Sequence, residues 1–139
     1  MLTCVVAVAA MSGCGPDLGT RNANGDALVA GSWSDLEQRI VVPRCATVAC
    51  HGGNPPVAFP RLDAGASHEA LVGMPSQQLS TMSLVEPGDA ERSYLVLKLR
   101  GMAGAQGGSG APMPLADVPL DDLDLAQIEA WIAHGAPND

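Results

Sequence analysis

The segment CATVACH at residues 45–51 holds the side chains best suited to cofactor chemistry. Two thiols followed directly by an imidazole form the arrangement that attaches a c-type haem. The thiols add to the two vinyl groups of the porphyrin, and the imidazole binds the iron. Cys45 and Cys50 would therefore form the thioether bonds, and His51 would be the proximal iron ligand. The usual motif has two residues between the cysteines, whereas four lie between Cys45 and Cys50.

Three other interpretations of Cys45 and Cys50 stay open at this point. The two residues could form a small structural disulfide. They could contribute to a zinc site, although no second CxxC or His pair completes a set of four ligands. They could also be free thiols, which is the least favourable state in an oxidising compartment.

Met113 is the best candidate for a second iron ligand. It lies between Pro112 and Pro114 in a Gly-rich loop, residues 101–115, and has no helical face on which to pack. The flanking prolines restrict the backbone and would hold the sulfur in place. The competing interpretation is a methionine that fills a gap in the core. Met102 is the first alternative ligand, and the other rivals are Met74, Met82, His68 (expected to be solvated) and His134 (expected to complement a helix dipole).

The first 13 residues form an uncharged apolar run that resembles the core of a secretory signal. This run is too short to span a bilayer as a helix. The sequence Met11-Ser12-Gly13-Cys14 resembles a bacterial lipobox and predicts lipidation of Cys14, although Met11 replaces the usual Leu and no cation precedes the run. The alternatives are an exported protein without a lipid, or a chain cut from a longer signal. Each places the domain outside the cytoplasm, in the periplasm or cell envelope.

Residues 14–31 carry Gly, Asn and Asp without periodicity, which predicts a flexible tether and leaves 32–139 as one domain. The chain has only four aromatic residues but 16 Gly and 11 Pro, so a haem would help to fill its core.

The net charge of −8 argues against nucleic acid or an anionic membrane surface as a direct partner. It suits partner proteins with basic patches, or it serves solubility alone.

The apolar periodicity predicts an all-α domain of three to four helices with long loops. The first helix begins at a capping box, Ser34 and Glu37, and Pro43 ends it. The remaining helices are predicted at 67–72, at 90–100 with Asp89 as cap and Gly101 at the C′ position, and from Asp121 to Gly135. The cysteine segment is predicted to bulge, because helical positions five apart lie about 140° apart around the axis.

Four segments in this order resemble the cytochrome c-like domains of exported proteins and lipoproteins in myxobacteria and planctomycetes. They are PRCATVACHGG, VEPGDAERSYLVLKLRG, GAPMP and PLDDLDLAQIEAWIAHGAP, and they fall within residues 33–137. Such domains carry a widened cysteine spacing before CH, a PGD-x-x-x-S-Y-L segment, a Met-Pro distal motif and a terminal helix with AWI-x-x-GA.

The resemblance implies a class I-like cytochrome c fold in which the first and last helices cross. One haem would lie between His51 and Met113, with Trp131 and Tyr94 packed near it. The implied function is electron transfer with redox partner proteins and a lipid anchor on Cys14, without enzymatic activity or a small-molecule substrate. A second hypothesis keeps the fold without haem, as a lipoprotein module of the envelope with a Cys45–Cys50 disulfide.

Overall fold

A computed structural model describes residues 30–115 and 117–139 of the chain. The predicted signal at 1–13, most of the predicted tether and the predicted lipidation at Cys14 lie outside these residues. The described part is helical and contains isolated β-bridges but no strand, which confirms the all-α prediction for it. None of its helices has the length and apolar character to cross a membrane. Its elements are α1 (Trp33–Leu36), a π-helical turn (Glu37–Val41), α2 (Val42–Arg44), α3 (Ser67–Leu71), α4 (Tyr94–Leu99), a 3₁₀ turn (Gly104–Gln106) and α5 (Asp122–Ala133).

The first three elements form one helical segment, and its cap is not the predicted one. Ser32 has extended backbone angles, and its hydroxyl accepts the Asp35 N–H at 3.3 Å. The predicted capping box is therefore wrong. The Ser34 hydroxyl instead donates to the carbonyl of Asp139 at 2.6 Å, and the Glu37 carboxylate accepts the Gly65 N–H at 3.0 Å. Both side chains connect the helix to distant parts of the chain.

The helical segment continues one residue past Pro43, to Arg44. Pro43 lies in the first turn of α2, directly after the π-helical turn. Because α1, the π-helical turn and α2 are continuous, Pro43 removes one backbone hydrogen bond inside the segment, and the wider π-helical turn directly before it is where the segment departs from regular α geometry. The predicted helix end at Pro43 is thus wrong by one residue, and α2 delivers the chain to Cys45 as expected.

The later helices follow the predictions with one change. α3 lies where it was predicted, and α5 is capped by Asp121, whose carboxylate accepts the Asp124 N–H at 2.8 Å. α4 begins at Tyr94, four residues later than predicted. Asp89 does not cap it, because its carboxylate closes a separate turn by accepting the Arg92 N–H at 3.0 Å. The predicted left-handed conformation of Gly101 is confirmed, with φ of 69°. The prediction that α5 ends at Gly135 is close, since the helix ends at Ala133 and Gly135 has φ of 96°.

The centre of the core is an aromatic contact between the first and last helices. The rings of Trp33 and Trp131 stack with centroids 4.6 Å apart, and the Trp131 indole donates to the carbonyl of Pro137 at 2.9 Å. His68 lies edge-on to both rings, and its Nε2 is 2.9 Å from the carbonyl oxygen of Ala136. His68 is half-buried in this cluster, so the prediction that it is solvated is wrong.

We expect Trp131→Ala to lower the free energy of unfolding by about 3–5 kcal/mol, because it removes a fully buried ring together with its hydrogen bond. Urea unfolding followed by far-UV circular dichroism measures the change. Val57→Ala, at an exposed position, is the control and should alter stability by no more than about 0.5 kcal/mol. Equal unfolding midpoints for the two variants would contradict this description of the core.

Candidate functional site

Four residues from two distant parts of the sequence line one pocket. They are Cys45, Cys50, His51 and Met113, the same residues that were predicted to attach and ligate a haem. The pocket has a cavity volume of about 150 Å³ and is not fully enclosed. Ligand sites typically measure roughly 300–1,000 Å³, so the enclosed part of this pocket is smaller than a typical ligand site. Most of the remaining wall is apolar and includes Phe59, Pro60, Leu62, Leu71, Leu84, Leu95, Leu99 and Leu115.

The segment between the two cysteines folds back on itself, as its spacing predicted. It forms turns and no regular helix. The His51 N–H donates to the carbonyl of Cys45 at 3.2 Å, while the N–H groups of Cys50 and Gly52 both donate to the Thr47 carbonyl at 2.9 Å. These bonds close the loop, so both thiols and the imidazole reach the same pocket in spite of the four intervening residues.

Gly52 allows the loop to close. It is buried, and a β-carbon added to it would overlap the carbonyl oxygen of Ala46 and lie 2.9 Å from the carbonyl carbon of that residue. Both atoms belong to the backbone, so neither can move away as a flexible side chain would. The contact therefore makes glycine a steric requirement directly after His51.

Cys45 and Cys50 are half-buried free thiols, and their sulfur atoms are not bonded to each other. Burial raises the pKa of Cys45 to about 11, and the nearby Arg44 charge offsets this only in part. A thiol with that pKa is protonated at neutral pH. Cys45 thus contributes a neutral, weakly polar sulfur to the pocket wall.

The ring orientation of His51 suits a metal ligand. Its Nδ1 lies 2.8 Å from the carbonyl oxygen of Pro60 and 3.1 Å from that of Ala58. Carbonyl oxygens only accept hydrogen bonds, so Nδ1 carries a proton, and in the neutral imidazole the lone pair is then on Nε2. Metal-bound histidines commonly have this outer hydrogen bond, which fixes the tautomer and raises the basicity of the ligating nitrogen.

Met113 lies on the pocket wall because its loop is attached to α4. The Met113 N–H donates to the carbonyl of Lys98 at 3.0 Å. Gly101 sits close to the loop as well, since a β-carbon there would be 3.4 Å from the ring of Pro112. The contact brings a thioether, a suitable soft ligand for haem iron, to the pocket that holds His51.

None of the rival ligands lines this pocket. The side chain of Met102 is 46% exposed, and Met74 is also exposed. The Nδ1 of His134 lies 2.7 Å from the carbonyl oxygen of Ala130 at the end of α5, the position in which a histidine complements the helix dipole.

The two aromatic residues that the resemblance places near a haem differ in position. Tyr94 lines the pocket, and its hydroxyl donates to the carbonyl of Ser109 at 2.9 Å. Trp131 does not line the pocket and belongs to the core cluster, so its predicted position is wrong. Apolar side chains of α4, such as Leu95 and Leu99, form this part of the pocket wall. Helical periodicity alone does not distinguish such side chains from core residues.

Sequence reasoning missed three polar residues in the pocket wall: Arg44, Gln78 and Lys98. Arg44 donates to the Asp117 carboxylate at 2.9 Å and to the carbonyl of Val118, which connects α2 to the segment that follows Met113. Burial lowers the pKa of Lys98 from its ordinary range. In the sequence, the one feature that drew attention to any of these residues was a cation in the last turn of a helix. Such a cation usually indicates a favourable interaction with the helix dipole.

Within the described ranges, no three or more His, Cys, Asp or Glu side chains converge to hold a metal ion by themselves. The pocket instead offers one imidazole, one thioether and two thiols, the set that a c-type haem uses. Comparisons with protein-family models, curated proteins and solved structures gave no match.

We expect Gly52→Ala to lower the free energy of unfolding by about 1–3 kcal/mol, because the added methyl group must displace the backbone of the closed loop. Gly104→Ala is the matched control, since a β-carbon there meets no atom within 4 Å. Thermal unfolding of both variants beside the parent protein measures the effect. Equal melting temperatures for the two variants would show that the loop does not close against residue 52.

Proposed function

We propose that this chain is a monohaem electron-transfer protein with a class I-like cytochrome c fold. Cys45 and Cys50 would form the two thioether bonds, and His51 and Met113 would be the axial ligands of the iron. The observation that carries the proposal is the meeting of these four residues in a single, mostly apolar pocket. The motif order of the sequence supports it independently.

The residues of the pocket have separate roles in this proposal. A bound haem would supply a one-electron change between ferrous and ferric iron. The hydrogen bond from Nδ1 to the carbonyl of Pro60 holds the His51 ring in one orientation and leaves Nε2 as the donor atom. The sulfur of Met113 favours the ferrous state and raises the reduction potential relative to a second histidine. The leucine-rich walls would limit the access of water to a bound haem and lower the local dielectric constant.

The mouth of the pocket is suited to brief contact with a redox partner. Phe59 and Leu115 line the pocket and are 45% and 58% exposed. An apolar rim of this kind lets a partner approach a cofactor edge closely, and the net charge of −8 favours a partner with a basic surface. We place the protein outside the cytoplasm, held to a membrane by a lipid on Cys14, and assign it no catalytic activity.

Expression together with a haem-attachment system tests the proposal. The purified protein should give a pyridine haemochrome spectrum of the c type and an intact mass increased by one haem. The double variant Cys45→Ala/Cys50→Ala should lose the covalently attached haem. A protein without haem whose mass corresponds to a Cys45–Cys50 disulfide would contradict the proposal and favour the envelope module instead.

We expect Met113→Ala to abolish the weak thioether-to-ferric-iron charge-transfer band and to lower the reduction potential, because the soft sulfur ligand is removed. Met102→Ala is the matched control, since Met102 is exposed and lies outside the pocket. Visible absorption and redox titration of the haem-loaded variants measure both effects. Persistence of the band in Met113→Ala, or its loss in Met102→Ala, would assign the ligand elsewhere.

A further inference from the structure

Lys98 is a buried cation without a neighbouring carboxylate. Its side chain is only 7% exposed. Four arginines in the part of the chain that the structure describes form ion pairs with Asp or Glu, whereas Lys98 forms none. Among the described residues, its ammonium group forms one hydrogen bond, to the carbonyl of Ser109 at 3.3 Å. A buried ammonium group is stable only when an anion or several strong acceptors compensate for its lost hydration.

A second donor lies beside Lys98. A β-carbon added to Gly110 would be 2.7 Å from Nζ of Lys98 and 2.6 Å from Nε2 of Gln78, so the two nitrogens converge next to this glycine. The Tyr94 hydroxyl lies 3.2 Å from Oε1 of Gln78, and no hydrogen bond of the Gln78 amide N–H groups is among the described contacts. Both donors line the pocket that holds His51 and Met113.

The donors also lie where the apolar pocket meets solvent. Lys98 is buried, whereas Gln78 and Gly110 are exposed. A ligand that fits the polarity of this site has an apolar body with an acidic group at one edge. Two converging N–H donors, one of them charged, match the oxygens of a single carboxylate.

We propose that Lys98 and Gln78 form a carboxylate-binding subsite of the pocket that holds a propionate group of the porphyrin. The inference rests on the function proposed above and adds to it the two residues that fix the orientation of the porphyrin. The propionate would supply the counter-charge that Lys98 lacks. Lys98 is thus a positioning residue, separate from the groups that bind the iron.

Reversible binding of iron protoporphyrin IX and of its dimethyl ester tests the subsite. The full chain with Cys45→Ala and Cys50→Ala would be titrated with each compound, since the two differ only in the acidic groups. We expect this protein to prefer the free acid about 10-fold or more, the effect of a charge-assisted hydrogen bond.

In the Cys45→Ala/Cys50→Ala background, Lys98→Met should reduce the preference to near unity. Arg92→Met is the control, because it removes an equal charge from an exposed residue outside the pocket, and it should keep the preference.

The outcomes separate this inference from the function on which it rests. If both compounds bind and Lys98→Met leaves the preference unchanged, the subsite is refuted while the haem pocket stands. If Lys98→Met weakens both compounds equally, Lys98 serves only the fold of α4, and the subsite is again refuted. Gln78→Leu, at an exposed position, should reduce the preference about 3-fold without loss of fold. If neither compound binds the Cys45→Ala/Cys50→Ala protein that retains Lys98, the proposed function fails, and the subsite fails with it.

Discussion

The backbone closure between Cys45 and His51 is the constraint on which the site depends. One hydrogen bond joins these two residues, and Thr47 accepts two more inside the loop. Without this closure, four intervening residues would direct the thiols to different sides of the segment. Gly52 makes the closure sterically possible, since its missing side chain leaves room for the carbonyl group of Ala46. The widened spacing is thus compatible with a shared pocket because the extra residues are absorbed in a turn.

The opposite wall depends on α4. The carbonyl of Lys98 accepts the N–H of Met113, while the Lys98 side chain lines the pocket itself. The ion pair between Arg44 and Asp117 joins the end of α2 to the segment that follows Met113. The thioether is therefore held by contacts from two directions. The aromatic cluster around Trp131 stabilises α1 against α5 and takes no part in the pocket.

Local sequence patterns were sufficient to predict the features that depend on residues close together in the chain. The positions of α3 and α5 were predictable, and so were the glycines after α4 and α5 and the bulge of the cysteine segment. The four residues that meet in the pocket were predictable as well. The failures involve contacts between distant residues. Ser34 matched a capping box, but its hydroxyl bonds to a carbonyl 105 positions away. His68 and Trp131 were misplaced because their mutual packing depends on how the two ends of the domain meet. Lys98 had the pattern of a helix-dipole contact, and only the folded chain shows that it is buried without a carboxylate.

We propose that His51 and Met113 ligate one iron from the two walls of this pocket. Near-infrared magnetic circular dichroism of the ferric protein tests it most directly, because the energy of the charge-transfer band depends on the pair of axial ligands. We expect the signature of a low-spin iron with one imidazole and one thioether ligand. A bis-imidazole or high-spin signature, or a protein that binds no iron porphyrin, would contradict the account.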